Sequence, residues 1–150
     1  MLMKSEMTQE ETRSYLSKPL LARLATSDDG WPHVTSVWFE YDGEYFWVPT
    51  QAATKKAMHL RKDKRVGMII DTFTEPISKF NITQVVVKGE AELMEVPSVE
   101  GPDPLKSRTM RIWSRYLGDE PEKTLKKRLE IERYLIKIKP VKIYAIRDQW

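Results

Sequence analysis

The sequence lacks cysteine entirely and contains only two histidines among its 150 residues. Without cysteine there is no disulfide, no thiolate metal ligand and no thiol nucleophile. Because two histidines are too few for a histidine-rich metal site, we predict structural roles for His33 and His59 and no bound metal. The carboxylates Asp28, Asp29 and Asp42 fall at predicted turns, where aspartate favours local backbone bonding, so paired-carboxylate catalysis has little support.

Long apolar runs and a large charge of one sign are also missing. No apolar stretch approaches the length of a bilayer crossing, and segment 1–6 has no apolar core of a signal peptide. Lysine and arginine total 25 against 22 for aspartate and glutamate, and the two signs are interleaved. We therefore expect a cytoplasmic protein that does not bind membranes, and the pI of 9.0 is only a weak indication of nucleic acid.

The residues that are present suffice for one folded domain spanning residues 1–150. Hydrophobic residues make up 41% and charged residues 31% of the sequence, which is typical of a globular protein. A chain of this length buries roughly two-thirds of its unfolded surface, so it has a core but little room for a second independent domain.

In the first half of the chain, strand-like segments alternate with turns. A capping-box pattern, Thr8-Gln9-Glu10-Glu11, predicts a short helix that ends near Leu16. Apolar and β-branched runs then predict three successive strands, at 20–26, 33–41 and 45–48. Turns at 27–30 and at Asp42-Gly43 connect them, and Asp-Gly suits a type I′ turn. These segments predict an antiparallel meander.

The second half adds further strands and helices. Strands are predicted at 66–70, 84–94, 134–139 and 141–146, and helices at 54–63, 105–117 and 121–129. The two closing strands are separated by Pro140. The total is about six or seven strands with the helices confined to connections, which favours a small antiparallel β-barrel with peripheral helices.

The stretch Thr50–Leu60 carries the most specific chemical pattern. It follows a strand-like run and has Thr54 as a helix N-cap. The first helical turn carries Lys55 and Lys56 and no acid, although the positive end of the helix dipole disfavours a cation by roughly 0.3–1 kcal/mol. A bound anion would reverse that cost. Free N–H groups, both lysines and the hydroxyls of Thr50 and Thr54 suit a phosphate monoester, and two solvated surface lysines are the alternative interpretation.

Three segments occur in a distinctive order: Leu24–Phe39, which contains Asp29-Gly30-Trp31-Pro32-His33, then Tyr45–Leu60, then Val85–Leu93. This ordered set resembles the pyridoxamine 5′-phosphate oxidase-like family of split β-barrel flavoproteins. The segments are similar to the family's opening hairpin, its third strand with the phosphate-binding helix, and a later core strand. Together they lie within roughly the first two-thirds of the chain, and the combination is more specific than any one segment.

What the resemblance implies is a homodimer with two flavin mononucleotides (FMN) at the subunit interface, on an FMN-binding split barrel. The positions that match phosphate contacts are Thr50, Thr54, Lys55 and Lys56. The positions that match the strand beneath the isoalloxazine ring are Val34, Thr35 and Ser36. Late aromatic residues can approach the flavin in relatives, which makes candidates of Trp113 and Trp150.

A departure from the family concerns substrate binding. True pyridoxamine phosphate oxidases bind substrate with an arginine and a histidine near the C-terminus, and no histidine follows His59 here. Oxidation of that vitamin is therefore disfavoured, and no catalytic side chain is identified. Flavin chemistry allows this, because hydride transfer takes place in the cofactor while the protein supplies binding and a pocket. We expect an oxidoreductase that acts on a small-molecule redox substrate.

Three alternatives remain open. The same fold can bind the 8-hydroxy-5-deazaflavin coenzyme, whose longer anionic tail suits Lys55, Lys56 and Arg61. It can also bind flavin for storage or redox sensing without turnover. A small nucleic-acid-binding barrel is suggested by the pI of 9.0 and five tryptophans, but the aromatic residues follow strand patterns that a core explains better. We expect no nucleic-acid partner.

Overall fold

The structure is a computed structural model that describes residues 3–74, 81–98 and 101–149. Within these residues the chain forms eight strands and four helices. The strands are β1 (Met3–Glu6), β2 (Ala22–Asp28), β3 (Trp31–Val37), β4 (Glu40–Tyr41), β5 (Phe46–Gln51), β6 (Arg65–Thr74), β7 (Asn81–Val96) and β8 (Arg133–Gln149). The helices are α1 (Gln9–Leu16), α2 (Lys55–Lys62), α3 (Pro104–Leu117) and α4 (Glu122–Arg128). Trp150 lies outside the described residues.

The sheet is antiparallel throughout, and seven strands follow the order β3-β2-β6-β7-β8-β5-β4. Strand β1 pairs with the end of β8, beside this path. Within the described ranges β3 and β4 do not pair with each other, so the sheet does not close. The predicted fold class, an antiparallel split β-barrel with peripheral helices, is confirmed. There are more strands than the predicted six or seven, because no pattern predicts β1 and the segment 33–41 is interrupted between β3 and β4.

Strand β8 is one continuous strand, so the prediction of two strands separated by Pro140 is wrong. Gly89 of β7 lies opposite Pro140, whereas Lys88 lies opposite Lys142, which leaves Val141 as the extra residue of a β-bulge. Proline is tolerated at a bulge because the ladder already lacks a regular hydrogen bond there. A Cβ on Gly89 would lie 2.7 Å from Ile138 Cγ2. The close approach of β7 to β8 at the bulge therefore requires glycine.

The first hairpin turn lies where the sequence predicts it, at 27–30, whereas the second differs from its predicted type. Asp29 and Gly30 both have positive φ, 48° and 85°, as a type I′ turn requires. At the second turn the central residues are Gly43 and Glu44, and of these only Gly43 has positive φ, at 98°. That pattern belongs to type II′, so the predicted type I′ turn at Asp42-Gly43 is wrong. The Asp42 carboxylate instead accepts hydrogen bonds from the backbone of Glu44 and Tyr45.

The barrel interior is apolar and consists of one face of each long strand. Fully buried side chains come from β2, β5, β6, β7 and β8, and include Leu24, Phe46, Val48, Ile70, Val85, Val87, Ile136 and Ile138. Burying one such side chain stabilises the fold by about 1.5–3 kcal/mol. Tyr15 and Leu16 of α1 join this core. No helix among the described residues is long and apolar enough to cross a membrane.

Helix α3 packs over the outside of the sheet against β5 and β8. Ile112 is fully buried there in a cluster with Trp47 and Leu135. An ion pair of Glu40 with Arg111, 2.8 Å from Nη2 to Oε1, fixes the same helix to β4. This docking places the C-terminal half of α3 beside the ends of β3 and β5.

Candidate functional site

A pocket of about 330 Å³ lies where β3, β5 and the start of α2 meet α3 and the α4–β8 connection. Eight of the nine candidates for the cofactor site lie within the described residues, and five of these line the pocket: Ser36, Thr50, Thr54, Lys56 and Trp113. These residues come from four separate elements. The structure therefore brings most of the predicted phosphate group together with one residue of the predicted ring-binding strand.

The other three predicted residues do not line the pocket, and strand and helix geometry explains why. Successive residues of a strand face opposite sides, so Thr35, paired with the buried Leu24, turns into the barrel. Val34 is 59% exposed on the outer side of β3, the side that Ser36 also faces. Successive residues of a helix lie about 100° apart around its axis, so Lys55 and Lys56 face different directions. Lys55 is exposed to solvent.

The start of α2 presents hydrogen-bonding groups to the pocket. Thr54 is the N-cap, as predicted, and its hydroxyl accepts from the backbone N–H of Ala57 at 3.4 Å. The hydroxyls of Thr50 and Thr54 lie 2.9 Å apart. Thr50 is only 4% exposed, and the first turn of α2 contains no acidic residue. This is the arrangement of a helix N-terminus that binds an anion.

Lys56 is the predicted lysine that belongs to the pocket. It is half-buried, and burial lowers the pKa of its ammonium group below the usual value. A lowered lysine pKa indicates that the surroundings do not neutralise the charge. An anion bound beside Lys56 would counteract this shift.

Two arginines that no sequence pattern identifies complete the pocket. Arg133, the first residue of β8, is 8% exposed, and its Nε donates to the backbone carbonyl of Arg128 at 2.8 Å. Its guanidinium lies 4.8 Å from the ring centroid of Trp113. Burial, followed by the neighbouring charge of Arg128, lowers the pKa of Arg133. Arg128 Nε is buried and has no acceptor within the described part of the chain.

The pocket lining thus contains three cations and no aspartate or glutamate. A buried guanidinium N–H without an acceptor is costly, by about 1–3 kcal/mol, unless a ligand supplies one. The start of α2 with Lys56 fits the phosphate group of a nucleotide-like cofactor, and the two arginines fit an anionic acceptor. Strand pairing brings Arg133 to this place, because it lies opposite Gln51 at the end of β5. The sequence places these two residues far apart.

The two histidines pack together away from this pocket. Their ring centroids are 5.2 Å apart, and His59 Nδ1 lies 2.9 Å from Thr26 Oγ1. This contact attaches α2 to the first hairpin. No group of three histidine, aspartate or glutamate side chains is arranged to hold a metal ion in the ranges that the structure describes.

A second, larger cavity of about 740 Å³ lies between α1, the turn at Gly43 and the segment 142–145. Its lining mixes acidic, basic and apolar side chains and includes none of the predicted cofactor residues. The smaller pocket has the concentrated positive charge and the helix start, and it is the candidate site.

The fold and the pocket define a class: split-barrel proteins with a basic pocket at a helix start beside the sheet. The family model described as pyridoxamine 5′-phosphate oxidase matches residues 8–147, and the chain belongs to that family. The resemblance inferred from the sequence is therefore confirmed. Among curated proteins, no sequence matches the chain significantly.

Solved structures share the fold over nearly the whole chain. A conserved hypothetical protein from Mycobacterium tuberculosis has a TM-score of 0.75 and 25% identity, covering 93% of this chain and 84% of that one. A FAD-binding protein from Mesorhizobium loti has a TM-score of 0.72 and 18% identity, covering 99% and 98%. An F420 reductase has a TM-score of 0.64 and 25% identity, covering 87% and 94%.

Proposed function

We propose that the protein binds FMN and acts as a flavin-dependent oxidoreductase on a small-molecule substrate. The observation that carries this proposal is the convergence of Thr50, Thr54 and Lys56 on a pocket without carboxylates. In this arrangement the start of α2 and Lys56 bind the phosphate. When bound, FMN supplies hydride and electron transfer at its isoalloxazine ring. Family membership supports the choice of a flavin.

We propose that part of the cofactor lies outside the cavity of a single chain. The volume of about 330 Å³ is near the lower end for ligand pockets, which span roughly 300–1,000 Å³. From Ser36 at the pocket edge, the outer side of β3 continues to the exposed Val34. We propose that the ring lies along this side of β3, where backbone groups and Val34 are accessible.

The same surface supports the proposal of a homodimer with the cofactor at its interface. Cross-strand partners share a face, and the outer side of the sheet carries Ile69, Val86 and Tyr144 in one row, with Tyr144 42% exposed. Val34 on the same side is 59% exposed. A second copy would cover these residues and complete the cofactor site.

The visible absorption spectrum of the purified protein, followed by heat release and chromatography of the released compound, tests the cofactor. Yellow protein that releases FMN is the expected result. Colourless protein that also fails to bind added FMN would contradict the proposal. For the dimer, light scattering after size-exclusion chromatography should give twice the mass of 17.6 kDa, and Val34→Lys should shift it towards the monomer.

A second candidate cofactor is the 8-hydroxy-5-deazaflavin coenzyme, F420. The structural likeness to an F420 reductase, at 25% identity, favours it. A blue-shifted absorption band in place of the flavin bands would distinguish the two. Storage or sensing without turnover is favoured if the loaded protein oxidises no reduced nicotinamide. The cytoplasmic location expected from the sequence stays a prediction.

A further inference from the structure

The pocket carries more positive charge than one phosphate neutralises. Its lining includes Lys56, Arg128 and Arg133, and no aspartate or glutamate. A phosphate monoester carries about −1.5 to −2 charges at neutral pH. With one phosphate at the start of α2, about one positive charge stays uncompensated, in a place where burial makes that costly.

This surplus charge belongs to the arginines. Lys56 lies on the first turn of α2, where the proposed phosphate would neutralise its charge. A guanidinium keeps its proton throughout the physiological range, so Arg128 and Arg133 need acceptors. In the described ranges, the only acceptor that either guanidinium meets is the Arg128 carbonyl, which binds Arg133 Nε.

Trp113 holds one of these guanidinium groups in place. It is 4% exposed and Arg133 is 8% exposed, with 4.8 Å between the guanidinium carbon and the ring centroid. A cation–π contact of this kind positions the guanidinium without using its N–H donors. The donors that remain are available to a ligand in the pocket.

We infer that Arg128 and Arg133 form a second anion-binding subsite, which takes a phosphate or carboxylate group in addition to the phosphate held at the start of α2. The position of the first phosphate rests on the proposed function. The second anionic group can come from the same cofactor molecule, as in FAD or a coenzyme with an acidic tail, or from a separate acidic substrate. Ligands with two anionic groups are therefore preferred over ligands with one.

Calorimetric titrations of FMN, FAD and inorganic phosphate into the purified protein test this subsite. The FMN-saturated wild type should take up one further phosphate per chain. Arg128→Gln should weaken that uptake by about tenfold or more, while its FMN affinity changes by less than about threefold. Lys127→Gln, which removes an exposed charge one residue earlier, is the matched control and should change neither.

A second variant tests the role of the buried Arg133. Arg133→Lys keeps the charge but loses the forked N–H donors, so phosphate uptake should again fall. Thermal unfolding of each variant shows whether it is folded. Because Arg128 is only partly buried, its variant keeps the test valid if the Arg133 variant does not fold.

The source of the second anion follows from the FAD titration. FAD that binds about tenfold tighter than FMN and prevents phosphate uptake assigns both anions to one molecule. FAD that binds no tighter, with phosphate uptake kept in the FMN-loaded protein, assigns the second anion to a separate substrate. Equal weakening of FMN and FAD by Arg128→Gln would overturn the subsite, because the arginines would then hold the FMN phosphate. Phosphate uptake that is absent, or unchanged in Arg128→Gln, would also overturn it.

Failure of the proposed function gives a different result. If neither flavin binds, the FMN proposal fails. Phosphate uptake by the flavin-free protein that is lost in Arg128→Gln and kept in Lys127→Gln would still support the arginine subsite. Uptake that does not depend on Arg128 would exclude both.

Discussion

Two pairs of arginines lie outside the barrel, and they differ in what neutralises them. Arg108 and Arg111 on α3 both donate to Glu40, whose side chain is 12% exposed. Arg128 and Arg133, at the end of α4 and the start of β8, meet no carboxylate within the described residues and line a pocket. The first pair attaches a helix to the sheet, whereas we propose that the second binds a ligand.

This difference predicts which charged residues contribute to the stability of the fold and which contribute to ligand binding. A cation paired with a buried carboxylate belongs to the folded structure, and removal of its partner leaves a charge that the interior cannot solvate. A cation without a partner makes the folded protein less stable than it could be, and such groups cluster at functional sites. Loss of Glu40 should therefore act on stability, and loss of Lys56 or Arg128 on ligand binding.

The largest expected effect is the loss of cofactor retention after charge reversal at the start of α2. In the double variant Lys55→Glu, Lys56→Glu, two carboxylates repel the phosphate, while acidic residues suit the helix dipole and leave the fold intact. We expect FMN affinity to fall about 100-fold or more, which corresponds to about 3 kcal/mol. Titration of FMN monitored by visible absorbance measures the effect.

Lys55→Glu alone is the matched control for that variant. Lys55 is exposed and lies outside the pocket lining, so its reversal should change FMN affinity by less than about threefold. If the double variant still purifies with full flavin, the phosphate site is assigned to the wrong residues.

Glu40→Gln should have the next largest effect, on stability. The variant removes the counter-charge of Arg111 and leaves Arg108 with only the more distant Asp42, at 3.7 Å, so we expect the free energy of unfolding to fall by about 1–2 kcal/mol. Urea denaturation monitored by tryptophan fluorescence measures it. Glu44→Gln, an exposed glutamate on the next hairpin turn, is the control and should change stability by less than about 0.5 kcal/mol. Equal stabilities of the two variants would show that the α3 arginines need no carboxylate.

The pH dependence of the free energy of unfolding gives a second test of the role of Glu40. Burial raises the pKa of this carboxyl, but the hydrogen bond and charge of Arg111, together with the charge of Arg108, outweigh burial and hold the pKa below its usual range. A carboxyl whose folded pKa is lowered stabilises the protein above its unfolded pKa, about 4.3 for glutamate, and this contribution is lost as the pH falls through the folded pKa. We expect stability to decline below about pH 4, and less steeply in Glu40→Gln. Urea midpoints measured between about pH 3 and 7 test this, and identical slopes would contradict it.

Local patterns predicted those parts of the fold that depend on neighbouring residues. The alternation of buried Val85 and Val87 with polar or half-buried residues identifies β7 from the sequence alone. The continuity of β8 could not be predicted in this way. Pro140 ordinarily ends a strand, and it is accommodated here because Gly89, on another strand, lets the two backbones approach.

The residues of the candidate site likewise include some that local sequence patterns predict and others that only the fold brings together. Thr54 and Lys56 follow from N-cap preference and from the missing acid in the first helical turn. The choice between Lys55 and Lys56 depends on which side of α2 packs on the barrel, and burial of Ala57 and Leu60 decides it. Arg133 reaches the pocket only through the pairing of β8 with β5, which no local pattern shows.

The smallest expected effect is the change in stability on Arg128→Gln, and it separates the two arginine pairs most directly. Because Arg128 has a buried Nε without an acceptor, its removal takes away an unfavourable group along with some packing. We expect the free energy of unfolding of the ligand-free variant to lie within about 0.5 kcal/mol of the wild-type value, or slightly above it. Arg111→Gln, which breaks the bidentate contact with Glu40, is the matched comparison and should lose about 1 kcal/mol. Urea denaturation of both ligand-free variants measures the difference. A larger loss for Arg128→Gln than for Arg111→Gln would mean that Arg128 stabilises the fold and that the two pairs have the same role.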